Sequence, residues 1–108
     1  MMDEREIKAL EGAGAKRWTK GAMDRLYINA ELIGLDVSYY KTGNVSSATW
    51  QGKTVSNADG RRLHYSKIWI DIRDGSLHVR TDYKTYAGTD GVAVEDAAKK
   101  FVDEVRSS

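Results

Sequence analysis

The sequence contains no cysteine and no proline. Without cysteine there is no disulfide and no thiolate metal site, so burial alone must hold the fold, in keeping with a reducing compartment. Without proline, turns fall to Gly, Asn and Asp, and glycine occurs ten times. No apolar run approaches the roughly 20 residues that a membrane span needs. The stretch from Met1 to Glu6 is charged and lacks the apolar core of a signal peptide. A cytoplasmic location is therefore expected. The formal net charge is only +1, which provides no global field for nucleic acid or membrane. Any electrostatic function has to come from local patches.

What is present is an ordinary globular composition. Apolar residues make up 41% and charged residues 31% of 108 positions, which suits one hydrophobic core and a single domain over 1–108. Residues 3–11 read as a short helix with Ile7 and Leu10 on one face, so 1–15 is a short helix or flexible arm. Residues 22–33 read as a helix, because Met23, Leu26, Tyr27, Ala30 and Ile33 fall on one helical face and Gly34 stands where a cap glycine belongs. Leu35, Val37 and Tyr39 then alternate with polar neighbours as a strand does, with Tyr39 expected inward and Tyr40 outward. Strands over 45–50 and 53–55 complete a three-stranded meander.

Ser56 and Asp59 have helix-start spacing, which suggests a short helix over 57–65 carrying Arg61 and Arg62. Lys67 to Arg73 alternates Ile68, Ile70 and Ile72 with polar partners. Asp74-Gly75 is a hairpin signal, and a two-residue turn sets Trp69 opposite Arg80 and Asp71 opposite His78. These cross-strand pairs suit a cation–π contact and an ion pair. Residues 82–91 read as a polar loop, and 92–106 as a final helix with Val94, Ala97, Ala98, Phe101 and Val105 on its stripe. The expected fold class is α+β: an antiparallel sheet of about five strands, the meander plus the Asp-Gly hairpin, with two main helices packed on one face.

The candidate binding residues are basic and aromatic. Lys16, Arg17, Lys20 and Arg25 surround Trp18 with only Asp24 as an acid among them. Cations beside an aromatic ring suit a phosphate backbone or an acidic protein patch. The competing reading tucks Trp18 into the core and leaves the cations to coat a helix start. Arg61 and Arg62, flanked by Lys53 and Lys67, form a second basic cluster, unless they simply line a solvated helix face. Tyr40 is a further exposed aromatic candidate. The polar face of the last hairpin is a third surface: if no helix covers it, Trp69 becomes a binding anchor.

Catalytic motifs are missing. His64 and His78 are the only histidines, with no metal-ligand spacing. Gly12-Ala13-Gly14 completes neither a dinucleotide fingerprint nor a phosphate loop, and no serine sits in a nucleophile elbow. No catalytic residue, metal or cofactor is expected.

Several segments together resemble small uncharacterised proteins carried by phages and mobile elements of Gram-positive bacteria. They are Lys16-Arg17-Trp18-Thr19-Lys20-Gly21, the run from Asp24 to Asn29, Tyr40-Lys41-Thr42-Gly43-Asn44, Ser56-Asn57 and the run from Ile70 to Gly75. The resemblance implies a non-enzymatic binding protein, since some such proteins inhibit host defence, anti-CRISPR proteins among them. It carries over no functional residue. The partner expected is a host protein or nucleoprotein complex; direct DNA or RNA binding, or enzymatic modification of a host target, are the alternatives.

Overall fold

The computed structural model describes residues 3–57, 63, 66–73, 75–85 and 92–108. The chain is α+β, with two antiparallel sheets where one of about five strands was expected. Helix α1 (Glu4–Gly12) opens it, capped by the Asp3 carboxylate, which accepts from the Glu6 N–H at 2.9 Å. Strands β1 (Lys16–Lys20) and β2 (Met23–Asn29) form a hairpin. A single 3-10 turn, Ala30–Ile33, leads to β3 (Asp36–Tyr39), β4 (Val45–Trp50) and β5 (Lys53–Asn57). The hairpin β6 (Lys67–Arg73) and β7 (Ser76–Arg80), the short β8 (Tyr83–Thr85) and helix α2 (Val92–Ser107) follow.

The first sheet has the order β1-β2-β6-β7, and the second is the β3-β4-β5 meander extended at its edge by β8. The meander is thus inserted in the chain between two strands, β2 and β6, that lie side by side. Leu26, Ile28, Ile68, Ile70 and Ile72 point from the first sheet into the core. There they join Ile7 and Leu10 of α1, Val94, Ala98 and Val102 of α2, and Val45, Ala48 and Val55 of the meander. The two helices pack against each other. Arg106 of α2 adds an ion pair to Glu6 of α1 at 3.3 Å and donates to the Gly75 carbonyl at 3.2 Å.

Several expectations fail here for one reason: pairing across the sheet outweighs local pattern. Residues 22–33 are not a helix. Leu26, Ile28 and Ala30 also alternate with Arg25, Tyr27 and Asn29, and that period-two pattern is the one realised, because β1 and β6 supply hydrogen-bonding partners on both sides of β2. Gly34 does end a helical segment, in the left-handed conformation at φ 103°, but the segment is the four-residue 3-10 turn. Asn57, placed in a helix by the sequence, ends β5 opposite Tyr83, so part of the expected 82–91 loop is the strand β8. The rest of the expected 57–65 helix lies largely outside the described residues. Tyr39 is not inward: it is 46% exposed and Tyr40 43%. A register shift between Ser38 and Tyr39 releases the strand end, and the Tyr39 hydroxyl reaches Glu31 at 2.6 Å and Ser66 at 3.0 Å.

The β6–β7 register is as the hairpin signal requires, from Trp69 opposite Arg80 to Arg73 opposite Ser76. In α2, Val94, Ala98 and Val102 form the fully buried axis, with Ala97, Phe101 and Val105 half-buried beside it.

Candidate functional site: the outer face of the first sheet

Alternation along four paired strands gives the first sheet two unlike faces. The inner face is aliphatic. On the outer face, register aligns Lys16, Tyr27, Trp69 and Arg80 in one row across all four strands. Trp18 and Arg25 are paired in the next row, and Lys20 and Met23 in the one after. None of the residues of this face is buried. Both helices direct their buried side chains into the core with the inner-face isoleucines, so among the described residues no helix covers the outer one.

Three half-buried rings form its centre. Trp18 meets Trp69 edge to face, with centroids 5.7 Å apart and planes at 81°; Tyr27 meets Trp69 at 5.6 Å and 60°. Such pairs contribute about 0.5–1.5 kcal/mol beyond their burial. Trp18 is therefore neither tucked into the core nor isolated. Cations lie over the rings: Arg25 is 5.6 Å from the Trp69 centroid, and Lys67 is 4.9 Å from that of Tyr27 and 5.9 Å from that of Trp69. The expected cation–π partner of Trp69, Arg80, is not the one found; among the described residues the ring takes Arg25 and Lys67 instead. Asp71 likewise pairs with Arg73 on its own strand at 2.7 Å rather than with His78 opposite.

Among the described residues of its strands, the face carries six cations, Lys16, Lys20, Arg25, Lys67, Arg73 and Arg80, against one carboxylate, Asp71. Among the described residues, Lys16, Lys20, Arg25 and Arg80 have no salt bridge. A chain of net charge +1 therefore carries a local excess of positive charge on this surface. A depression of about 480 Å³, lined by the acids Asp24 and Asp71 as well as by Arg25, Trp69, Arg73 and Arg80, lies within the size range of small-ligand sites, about 300–1,000 Å³.

The sequence candidates separate on this frame. Lys16, Trp18, Lys20 and Arg25 belong to the face. Arg17 does not: it sits on the other side of β1, where its guanidinium grips Asp24 through bonds of 2.8 and 2.6 Å and approaches Glu4 at 3.6 Å. The bonds from Arg17 hold the Asp24 carboxyl below the usual carboxylate range, and the same contact raises the guanidinium further above its ordinary value. Tyr40 lies just beyond β3 in the second sheet, apart from the aromatic cluster. Arg61 and Arg62 lie outside the described residues. Tyr27 is the member that the sequence did not offer; Lys67 was considered only as a flank of Arg61 and Arg62, and Trp69, Arg73 and Arg80 only on the polar face of the last hairpin. The signal for Tyr27 was the alternation of Arg25, Tyr27 and Asn29 with Leu26 and Ile28, masked by the competing helical spacing.

Among the described residues no group of three His, Cys, Asp or Glu could hold a metal ion, and no helix is long and apolar enough to cross a membrane. No family model, no curated protein and no solved structure matches the chain.

Proposed function

We propose that this is a non-enzymatic binding protein that docks through the outer face of the β1-β2-β6-β7 sheet onto an anionic macromolecular partner. In keeping with the resemblance of its motifs to small phage and mobile-element proteins, the partner is a host defence nucleoprotein or nuclease, which the protein inhibits. The observation that carries this reading is the gathering of six cations and three aromatic rings on one face that no helix among the described residues covers, in a nearly neutral chain. That arrangement costs self-repulsion and places large rings where burial does not reward them fully. Aromatic and Arg side chains on an open surface are the residue types that dominate binding energy at interfaces.

The test reverses charge at Lys16, Lys20 and Arg25 together, leaving Arg17 in its pair with Asp24. The triple variant is expected to lose capture and inhibition of the host nuclease or nucleoprotein while its Tm stays close to that of the parent, since such surface changes alter stability by only about 0.5 kcal/mol each. Retained capture, with the fold intact, rejects the outer face as the docking surface.

A further inference from the structure

We infer that what this face contacts is a single-stranded nucleic acid, with bases against Tyr27 and Trp69 and phosphates at the strand-edge cations. The inference rests on the outer face being the docking surface, and it names the chemistry that surface takes.

Three observations carry it. The first is the order of residues across the sheet. In the row Lys16, Tyr27, Trp69, Arg80, the two rings occupy the central strands and the two cations the edge strands. Charge at the ends and rings in the middle matches a strand laid across the sheet, its phosphates at the margins and its bases inward. Open four-stranded faces of this kind hold two or three unstacked bases elsewhere.

The second is width. Four strands about 4.8 Å apart span about 14 Å before side chains are added, more than the roughly 12 Å of a duplex major groove. An undistorted duplex would therefore meet mainly its outermost cations, whereas a flexible single strand can follow the whole face. The third is the ring cluster itself. Carboxylates alone would satisfy the cations but offer nothing to Trp18, Tyr27 and Trp69, whereas one nucleic-acid strand brings phosphates for the cations and base faces for the rings. The depression beside Trp69, about 480 Å³ in volume, gives one base room to lie against Arg25 and Arg80.

The experiment titrates the full chain with four fluorescent probes: a short oligo-dT, an abasic phosphodiester of equal length, the matching duplex and polyglutamate. Anisotropy and tryptophan fluorescence are read at about 50 and 200 mM salt. Oligo-dT is expected to bind about tenfold more tightly than the abasic strand, the equivalent of one stacked base, and to quench tryptophan emission. It is also expected to bind more tightly than the duplex or polyglutamate. Trp69→Ala should remove that tenfold advantage. Lys20→Glu with Arg80→Glu, which leaves the rings in place, should weaken all strand binding and flatten its salt dependence.

Equal binding of oligo-dT, the abasic strand and polyglutamate overturns the inference, as does preference for the duplex or no strand binding at all. Should the Lys16, Lys20 and Arg25 variant still lose its host partner in that case, the docking surface stands and its target is acidic protein. If that variant keeps the partner, the docking surface itself falls, whatever the oligonucleotides do.

Discussion

The inner and outer faces of the first sheet are built from alternate residues of the same strands, yet they obey different rules. On β6, Ile68, Ile70 and Ile72 are almost wholly buried, while Lys67 and Trp69 are half-buried and Asp71 and Arg73 exposed. The inner face is interchangeable aliphatic volume, stabilised by removal from water. The outer face is particular chemistry: rings in edge contact, with Arg25 and Lys67 over them. The contrast teaches that burial accounts for the inner face, whereas the outer face is what the proposed docking role would account for.

The comparison breaks most clearly at neighbouring residues. Ile70→Ala is expected to cost about 2–5 kcal/mol by leaving a cavity in the core. Trp69→Ala, one residue away, should cost less than Ile70→Ala, about 1–3 kcal/mol, chiefly the loss of two ring contacts. Urea denaturation of both variants measures this. A Trp69 loss equal to that of Ile70 would mean that the outer face is a second core rather than a surface.

A smaller effect sharpens the interior side. Tyr83 is buried, and its hydroxyl has no hydrogen-bond partner among the described residues. Burial pushes that hydroxyl above its ordinary value, with the nearby Tyr39 and Glu31 adding to the rise. A raised phenol contributes stability that is present below about pH 10, its unfolded value, and is lost as pH climbs beyond it. Tyr83→Phe should therefore delay alkaline unfolding. At neutral pH the variant should match the parent or gain up to about 1 kcal/mol, because an unsatisfied buried group is removed. Thermal melts from pH 7 to 11 read both.

The smallest effect concerns Arg17, the basic residue that faces away from the candidate site. Because its bonds depress the Asp24 carboxyl, the pair contributes stability above the ordinary carboxylate value near pH 4, and that contribution fades as pH falls through the depressed one. Arg17→Ala should lose a little stability at neutral pH, screened because both groups are exposed, and should converge with the parent in acid. Partner binding should be unaffected by this variant, in contrast to charge reversal at Lys16, Lys20 and Arg25.

How much was legible varied with the range of the interactions involved. The β6–β7 register followed from Asp74-Gly75 and the strict alternation of isoleucines, since a short turn leaves no freedom in pairing. The α2 stripe and the meander were legible for the same local reason, as was the gathering of Lys16, Trp18, Lys20 and Arg25 in sequence. The site as a whole was not, because it needs β2 to be a strand. Met23, Leu26, Tyr27, Ala30 and Ile33 satisfy a helix while Leu26, Ile28 and Ala30 satisfy a strand, and no local rule separates the two. Without β2, Trp18 and Trp69 had no reason to meet, and the division of Arg17 from Lys16 and Trp18 was invisible.

By itself, the order of residues determined the α+β class, the last hairpin with its pairing, and the C-terminal helix, because each depends on periodicity and turn chemistry within a few residues. Only tertiary structure decided that 23–29 pairs between β1 and β6, that the chain divides into two sheets, and that three rings and six cations share one face. Those outcomes depend on hydrogen bonds between strands some forty residues apart in the chain, and such partners exert no influence on local pattern until the sheet has formed.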